Sequence, residues 1–95
     1  MAAYVILDIS VTDTTRYEDY KGMASASIAK HGGKYLVRGG KHEPLEGAWD
    51  LDRIVVLEFE STALAREWWT SEDYTRAKAI RTKAAQVKAV LVEGM

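Results

Sequence analysis

Two glycine pairs, Gly32-Gly33 and Gly39-Gly40, enclose the five residues Lys34-Tyr35-Leu36-Val37-Arg38. Glycine enters left-handed backbone without steric cost. A pair placed after a helical stretch therefore closes that helix, and a second pair placed after a short β-branched and aromatic run ends a strand. The bracket sets where a helix stops, where a strand starts and where Arg38 is held, at the strand's far end. A phosphate-loop reading of the same glycines fails on order. A dinucleotide fingerprint needs its glycines between a strand and a helix that begins at the loop, whereas here the first pair follows a helix and the second leads from a strand into a loop.

Outward from the bracket, parity and helical spacing assign the rest. Between Tyr4 and Val11, Val5, Leu7, Ile9 and Val11 form one face and Tyr4, Ile6, Asp8 and Ser10 the other, the period of a strand. Asp13 caps a helix in which Tyr17, Tyr20, Ala24 and Ile28 recur at helical spacing up to about Lys30. Gly22 lies inside that helix at a cost of roughly 1 kcal/mol relative to Ala, or marks a close approach to a neighbour. After the bracketed strand, a loop from Gly39 to about Asp52 is long for a hairpin and is a candidate lid or dimer-crossing arm. Arg53 to Phe59 alternates as a third strand. Ser61 or Thr62 opens a second helical region carrying Leu64, Ala65, Trp68 and Trp69, interrupted at Ser71-Glu72-Asp73-Tyr74, where Ser71 caps a further stretch with Tyr74, Ala77, Ile80 and Ala84. Val87 to Glu93 is the last strand.

The order strand, helix, strand, strand, helix, strand is that of an α+β, ferredoxin-like βαββαβ protomer, a single domain over residues 1–95. In it, strands one and three are central in a four-stranded antiparallel sheet, and the two helical segments cover one face. Ile6, Ile54, Val56 and Leu36 would then lie bare on the other face. With 47% hydrophobic residues, three Trp and five Tyr in 95 residues, the chain carries more apolar surface than one small core hides, and sheet-to-sheet homodimerisation is the simplest remedy.

Composition also narrows partners. Thirteen basic and 14 acidic residues nearly cancel, so neither a nucleic-acid footprint nor a polybasic membrane anchor is present. There is no Cys, and the N-terminal run through Asp8 is too short and acidic for a signal peptide, which together lead us to expect a cytoplasmic protein. No stretch approaches a membrane span.

The segments Gly32 to Gly40, Leu45-Glu46-Gly47, Val56-Leu57-Glu58-Phe59, Ser71-Glu72-Asp73-Tyr74 and Val92-Glu93-Gly94 together resemble the domain of unknown function 1330 family, in the dimeric α/β-barrel superfamily. The resemblance covers essentially the whole chain. Where this sequence has Glu72-Asp73 the family commonly has Pro-Glu, a change that keeps the cap and a first-turn acid. What the resemblance implies is a ferredoxin-like protomer and a homodimer with two sheets face to face. The wider superfamily spans cofactor-free monooxygenases, lactone isomerases, haem peroxidases and ligand-sensing domains, so no reaction is implied.

Candidate chemistry starts from charges on apolar strands. Parity places Asp8, Arg38 and Glu58 on one sheet face, either as an ion-pair network that sets dimer register or as a catalytic pocket. In the pocket, Arg38 holds a carboxylate or enolate while Asp8 or Glu58 moves a proton. A one-residue slip at the glycines would exchange these faces. His31 is either a helix C-terminal cap or a general base, and His42, beside Glu43, is a solvated loop residue. The two histidines with Glu43 or Glu46 match no metal-ligand spacing, and no cofactor is expected. Trp68 and Tyr74, with Tyr17 and Tyr20 from the first helix, either pack the core or line a cavity between sheet and helices, and Arg81 is a second anion anchor or a surface arginine. The expectation is a homodimer binding a small anionic or aromatic molecule, with a cofactor-independent isomerase or monooxygenase as the leading enzymatic form. The alternative is a non-catalytic dimerisation or ligand-sensing module.

Overall fold

A computed structural model describes residues 1–95. Seven elements follow in order: β1 (Ala3–Val11), α1 (Thr14–Lys30), β2 (Lys34–Arg38), β3 (Arg53–Phe59), α2 (Thr62–Thr70), α3 (Glu72–Ala84) and β4 (Ala85–Glu93). The sheet order is β2-β3-β1-β4 with every neighbouring pair antiparallel, the ferredoxin-like arrangement. No helix is long and apolar enough to cross a membrane.

Local chemistry explains the boundaries. The Asp13 carboxylate accepts from the Arg16 amide at the start of α1, and Ser61 does the same for Leu64 in α2. At the end of α1 the His31 Nδ1–H donates to the Ser27 carbonyl at 2.8 Å, and Gly32 takes the left-handed turn at φ 77°. Gly33 is required by packing instead, because a Cβ there would run into the Phe59 ring and Ile28. Gly22 has no such neighbour; its position is open, so it marks no close approach.

The helices cover one sheet face. Val5, Leu7 and Ile9 of β1 and Val55, Leu57 and Phe59 of β3 point beneath them and meet Tyr17, Tyr20, Ala24, Ile28, Ala65, Trp68, Tyr74 and Ala77, all buried. Trp68 is the centre of this core: its Nε1–H donates to Ser27 Oγ at 3.1 Å, and Ser27 Oγ donates on to the Ala24 carbonyl. A buried indole N–H and a buried hydroxyl thus satisfy each other. No helix covers the opposite face. Ile6, Val37, Val90 and Val92 are exposed there, and Ile54 and Val56 are half-buried.

Strand β2 departs from simple alternation. Tyr35 pairs with Leu57, but Val37 pairs with Val56 and Arg38 with Val55, so Leu36 is an extra residue in a bulge. The bulge reverses the parity of everything after it. Val37 joins the open face, and Arg38 is carried to the helix-covered side.

Candidate functional site

Between α1 and the covered face of the sheet lies a small cavity of about 20 Å³, room for one water molecule. Leu7, Ile9, Val55 and Leu57 form its floor, Tyr17, Tyr20, Ala24 and Ile28 its α1 wall, and Trp68 and Tyr74 its inner end. Lys21, Tyr35, Arg38 and Arg53 form its mouth.

The mouth is cationic. Arg38 stacks over the Tyr35 ring, 4.6 Å from the ring centre, and its Nη2 donates to Ser25 Oγ at 3.0 Å. The Tyr35 hydroxyl also reaches Ser25 Oγ, at 3.1 Å. Arg53, the first residue of β3, points the same way as Val55 and crosses beneath Gly39 towards the Tyr17 ring, 5.9 Å away. Gly39 leaves the space for that guanidinium: a Cβ there would overlap it, and its φ of 71° also favours glycine. The ion pairs of the chain are Arg16–Asp13, Lys21–Glu18, Lys30–Asp73 and Arg76–Glu72, so neither Arg38 nor Arg53 has a carboxylate partner. The Arg53 Nε–H is buried without any acceptor.

The inner end is built from phenols. The Tyr20 and Tyr74 hydroxyls are 2.8 Å apart, and Arg81 Nη1 donates to the Tyr74 oxygen at 3.1 Å. Burial pushes the Tyr20 pKa far above that of a free phenol, with the neighbouring Tyr74 hydroxyl adding to the effect. Burial likewise raises Tyr74, with the Tyr20 hydrogen bond and Arg81 working against it. Ser71, at the α2–α3 junction, accepts from the Tyr74 amide and donates to the Trp68 carbonyl, which positions both aromatic residues. On the outer side of Trp69, Lys78 Nζ donates to the Trp69 carbonyl at 2.7 Å and lies 4.5 Å from the ring centre. Partial burial, and then the charge of Arg81, lower its pKa.

The structure gathers some expected site residues and separates others. Tyr17, Tyr20, Trp68, Tyr74 and Arg38 line one cavity, and Arg81 reaches it through Tyr74. The expected grouping of Asp8, Arg38 and Glu58 is not formed, because the Leu36 bulge sends Arg38 to the other side of the sheet. Asp8 and Glu58 themselves are apart on the open face: Asp8 is paired with Ile54, four residues from Glu58, a separation of about 13 Å along the strand. Asp8 instead accepts from the Asp52 amide at 3.1 Å, and Asp52 bonds Ser10, which ties the base of the long loop to β1. His31 caps α1 and does not line the cavity. His42 stays in the exposed loop, where its Nε2–H donates to the Leu51 carbonyl at 2.6 Å. Arg53, Tyr35 and Lys21 are not among the residues that the sequence singles out. Arg53 was legible, since it is in phase with the inward Val55, Leu57 and Phe59.

A family profile described as a domain of unknown function, DUF1330, matches residues 2–95. The chain belongs to the DUF1330 family. No curated protein matches this DUF1330 chain. Among solved structures it is similar to a protein of unknown function from Rhodopseudomonas palustris, at 17% identity and a TM-score of 0.80, covering 99% of this chain and 82% of that one. It is similar also to a dimeric ferredoxin-like protein of unknown function from Jannaschia, at 10% identity, a TM-score of 0.72 and coverage of 99% and 100%. A third is SnoaB, a cofactor-independent oxygenase from Streptomyces nogalater, at 10% identity, a TM-score of 0.69 and coverage of 99% and 93%. Identities this low establish a shared fold and nothing finer.

Proposed function

We propose that this DUF1330 chain is a homodimer that binds a small aromatic carboxylate in the cleft between α1 and the sheet, where it acts as an enzyme of isomerase or monooxygenase type. The observation that carries the reading is the pair of guanidinium groups, Arg38 and Arg53, at an aromatic-lined mouth with no carboxylate partner and a buried, unpaired Arg53 Nε–H. A buried donor left unpaired is costly, and a planar guanidinium matches a carboxylate in shape and charge. The apolar floor and the rings of Tyr17, Tyr35 and Trp68 suit a flat apolar body attached to that anion. Cofactor-independent oxygenase activity in SnoaB, on the same fold, supports the enzymatic part by analogy.

At about 20 Å³ the cavity holds a water and not a ring, so a ligand enters as the side chains at the mouth, exposed Arg38 among them, draw back. The same closure favours a second reading, a ligand-sensing module without turnover. Titration of benzoate and phenylacetate, followed by tryptophan fluorescence or calorimetry, tests the site. Saturable binding weakened tenfold or more by Arg53→Met and by Arg38→Met is expected; binding by neither acid, or binding indifferent to both substitutions, would remove the proposal. Oxygen uptake or chemical change of the bound acid then separates the enzyme from the module.

The dimer part rests on the open face. Ile6, Val37, Val56, Val90 and Val92 form an uncovered apolar surface on a sheet whose other side is covered by the helices. Structural neighbours described as dimeric share the fold. The exposed Leu45 and Trp49 lie in the long loop and, with Ile54, line a cavity at the edge of that surface.

A further inference from the structure

The buried phenols at the inner end of the cavity carry more hydrogen-bond donors than the protein uses. Tyr20 and Tyr74 have two O–H protons between them and share one hydrogen bond, at 2.8 Å. That bond consumes one proton. The other has no protein acceptor, because the Tyr20 oxygen has no further partner and the second contact of Tyr74 is with Arg81, which only donates. Both side chains are buried and line the same cavity, so an acceptor inside it is in place to take the spare proton.

Arg81 decides which phenol keeps the spare proton. Its N–H already occupies the Tyr74 oxygen at 3.1 Å and draws electron density from it, which makes the Tyr74 O–H the better donor and the Tyr20 oxygen the acceptor. The chain of donation then runs from Arg81 to Tyr74 to Tyr20 and ends in the cavity, each bond polarising the next. Both phenols are protonated at neutral pH, as a donor chain requires, and burial only strengthens their hold on the protons.

We propose that Tyr20, polarised through Tyr74 by Arg81, is a hydrogen-bond donor to an oxygen of the ligand, so that the ligand is an aromatic carboxylate bearing a second, anionic or carbonyl oxygen away from its carboxylate. The proposal rests on the reading of Arg38 and Arg53 as the carboxylate anchor and deepens it. A donor chain ending in a positive charge favours negative charge on the accepted oxygen, so the site suits an enolate or phenolate more than its neutral form. No electron or atom is transferred in this step. Tyr20 keeps its proton and shares it with the ligand oxygen.

The probes are 4-hydroxy-3-nitrobenzoate and 3-hydroxy-4-nitrobenzoate, whose phenols change colour on ionisation, compared with 3-nitrobenzoate, which has no hydroxyl. At a pH where the phenol is ionised, one of the hydroxy acids is expected to bind at least tenfold more tightly than 3-nitrobenzoate. Its bound phenol should ionise about one pH unit lower than the free one, the equivalent of a tenfold preference of the site for the phenolate over the neutral phenol. Tyr20→Phe should abolish both effects and Tyr74→Phe should weaken them, with circular dichroism confirming that both variants remain folded. If the acids bind but the bound phenol ionises no more readily than the free one, the Tyr20 proposal fails and the anion site stands. The Tyr20 proposal fails equally if Tyr74→Phe abolishes the effects while Tyr20→Phe leaves them. If none of the three acids binds, both readings fail together.

Discussion

Arg53 shows how a single residue acquires meaning from its surroundings. In the sequence it opens a strand in phase with Val55, Leu57 and Phe59; in the fold its guanidinium slides under Gly39, where any side chain would collide with it, and its Nε–H is left without an acceptor. Residue-level reasoning also separates the helix glycine from the turn glycines. Gly22 sits in α1 in open space with ordinary helical backbone, so nothing but backbone entropy is at stake there. Gly22→Ala is expected to stabilise the protein by about 0.5–1 kcal/mol, read as a higher midpoint in urea unfolding with an unchanged slope. A lower midpoint would mean that α1 needs the flexibility, against the open space around that position.

The α2–α3 junction and strand β2 show the same dependence at the level of the element. Ser71 ends one helix and starts the next, and its hydroxyl bonds both the Trp68 carbonyl and the Tyr74 amide. Ser71→Ala is expected to cost about 1 kcal/mol, the usual worth of an N-cap, and to loosen the contact between Trp68 and Tyr74, whose ring centres are 4.1 Å apart. Chemical denaturation measures the first effect and a red shift in Trp emission the second. The break itself was readable from Ser71-Glu72-Asp73, because caps and first-turn acids are local chemistry. The bulge in β2 was not. Lys34 to Arg38 alternates acceptably in either phase, and only pairing with Val56 and Val55 reveals that Leu36 is the extra residue.

For the whole molecule, the uncovered face and the buried phenols make separate predictions. Burying the open-face valines and isoleucines against a second sheet at about 25 cal/mol per Å² is worth several kcal/mol, enough with a standard interface to hold a dimer at micromolar concentration. Sedimentation is expected to give a dimer, and Val56→Glu, which places a charge mid-face without touching the core, a monomer. A wild-type monomer would remove the homodimer reading. The phenols govern alkaline stability. Tyr20 and Tyr74 keep their protons in the folded state at a pH where the unfolded chain, with a phenol pKa near 10.0, releases them. The unfolded state therefore binds fewer protons above pH 10, and stability is full below that pH and falls as pH rises past it. Absorbance titration is expected to show two of the five tyrosines ionising only as the protein unfolds; five smooth early titrations would contradict the burial of this pair.

The sequence alone determined the element order, the caps, the covered and uncovered faces of β1 and β3 and the family resemblance, because alternation, helical spacing and glycine placement act over a few residues and need no partner strand. It brought Tyr17, Tyr20, Trp68 and Tyr74 within reach of one another for the same reason: they share the inward stripes of helices that must pack on the same side of the sheet. Tertiary structure decided which charges meet. A bulge is defined only by the strand opposite it, so the side of the sheet that Arg38 takes depended on its pairing with Val55, and with it the separation of that arginine from Asp8 and Glu58. The space beneath Gly39 and the contact of Arg81 with Tyr74 likewise join residues separated along the chain, through distances that no local pattern encodes.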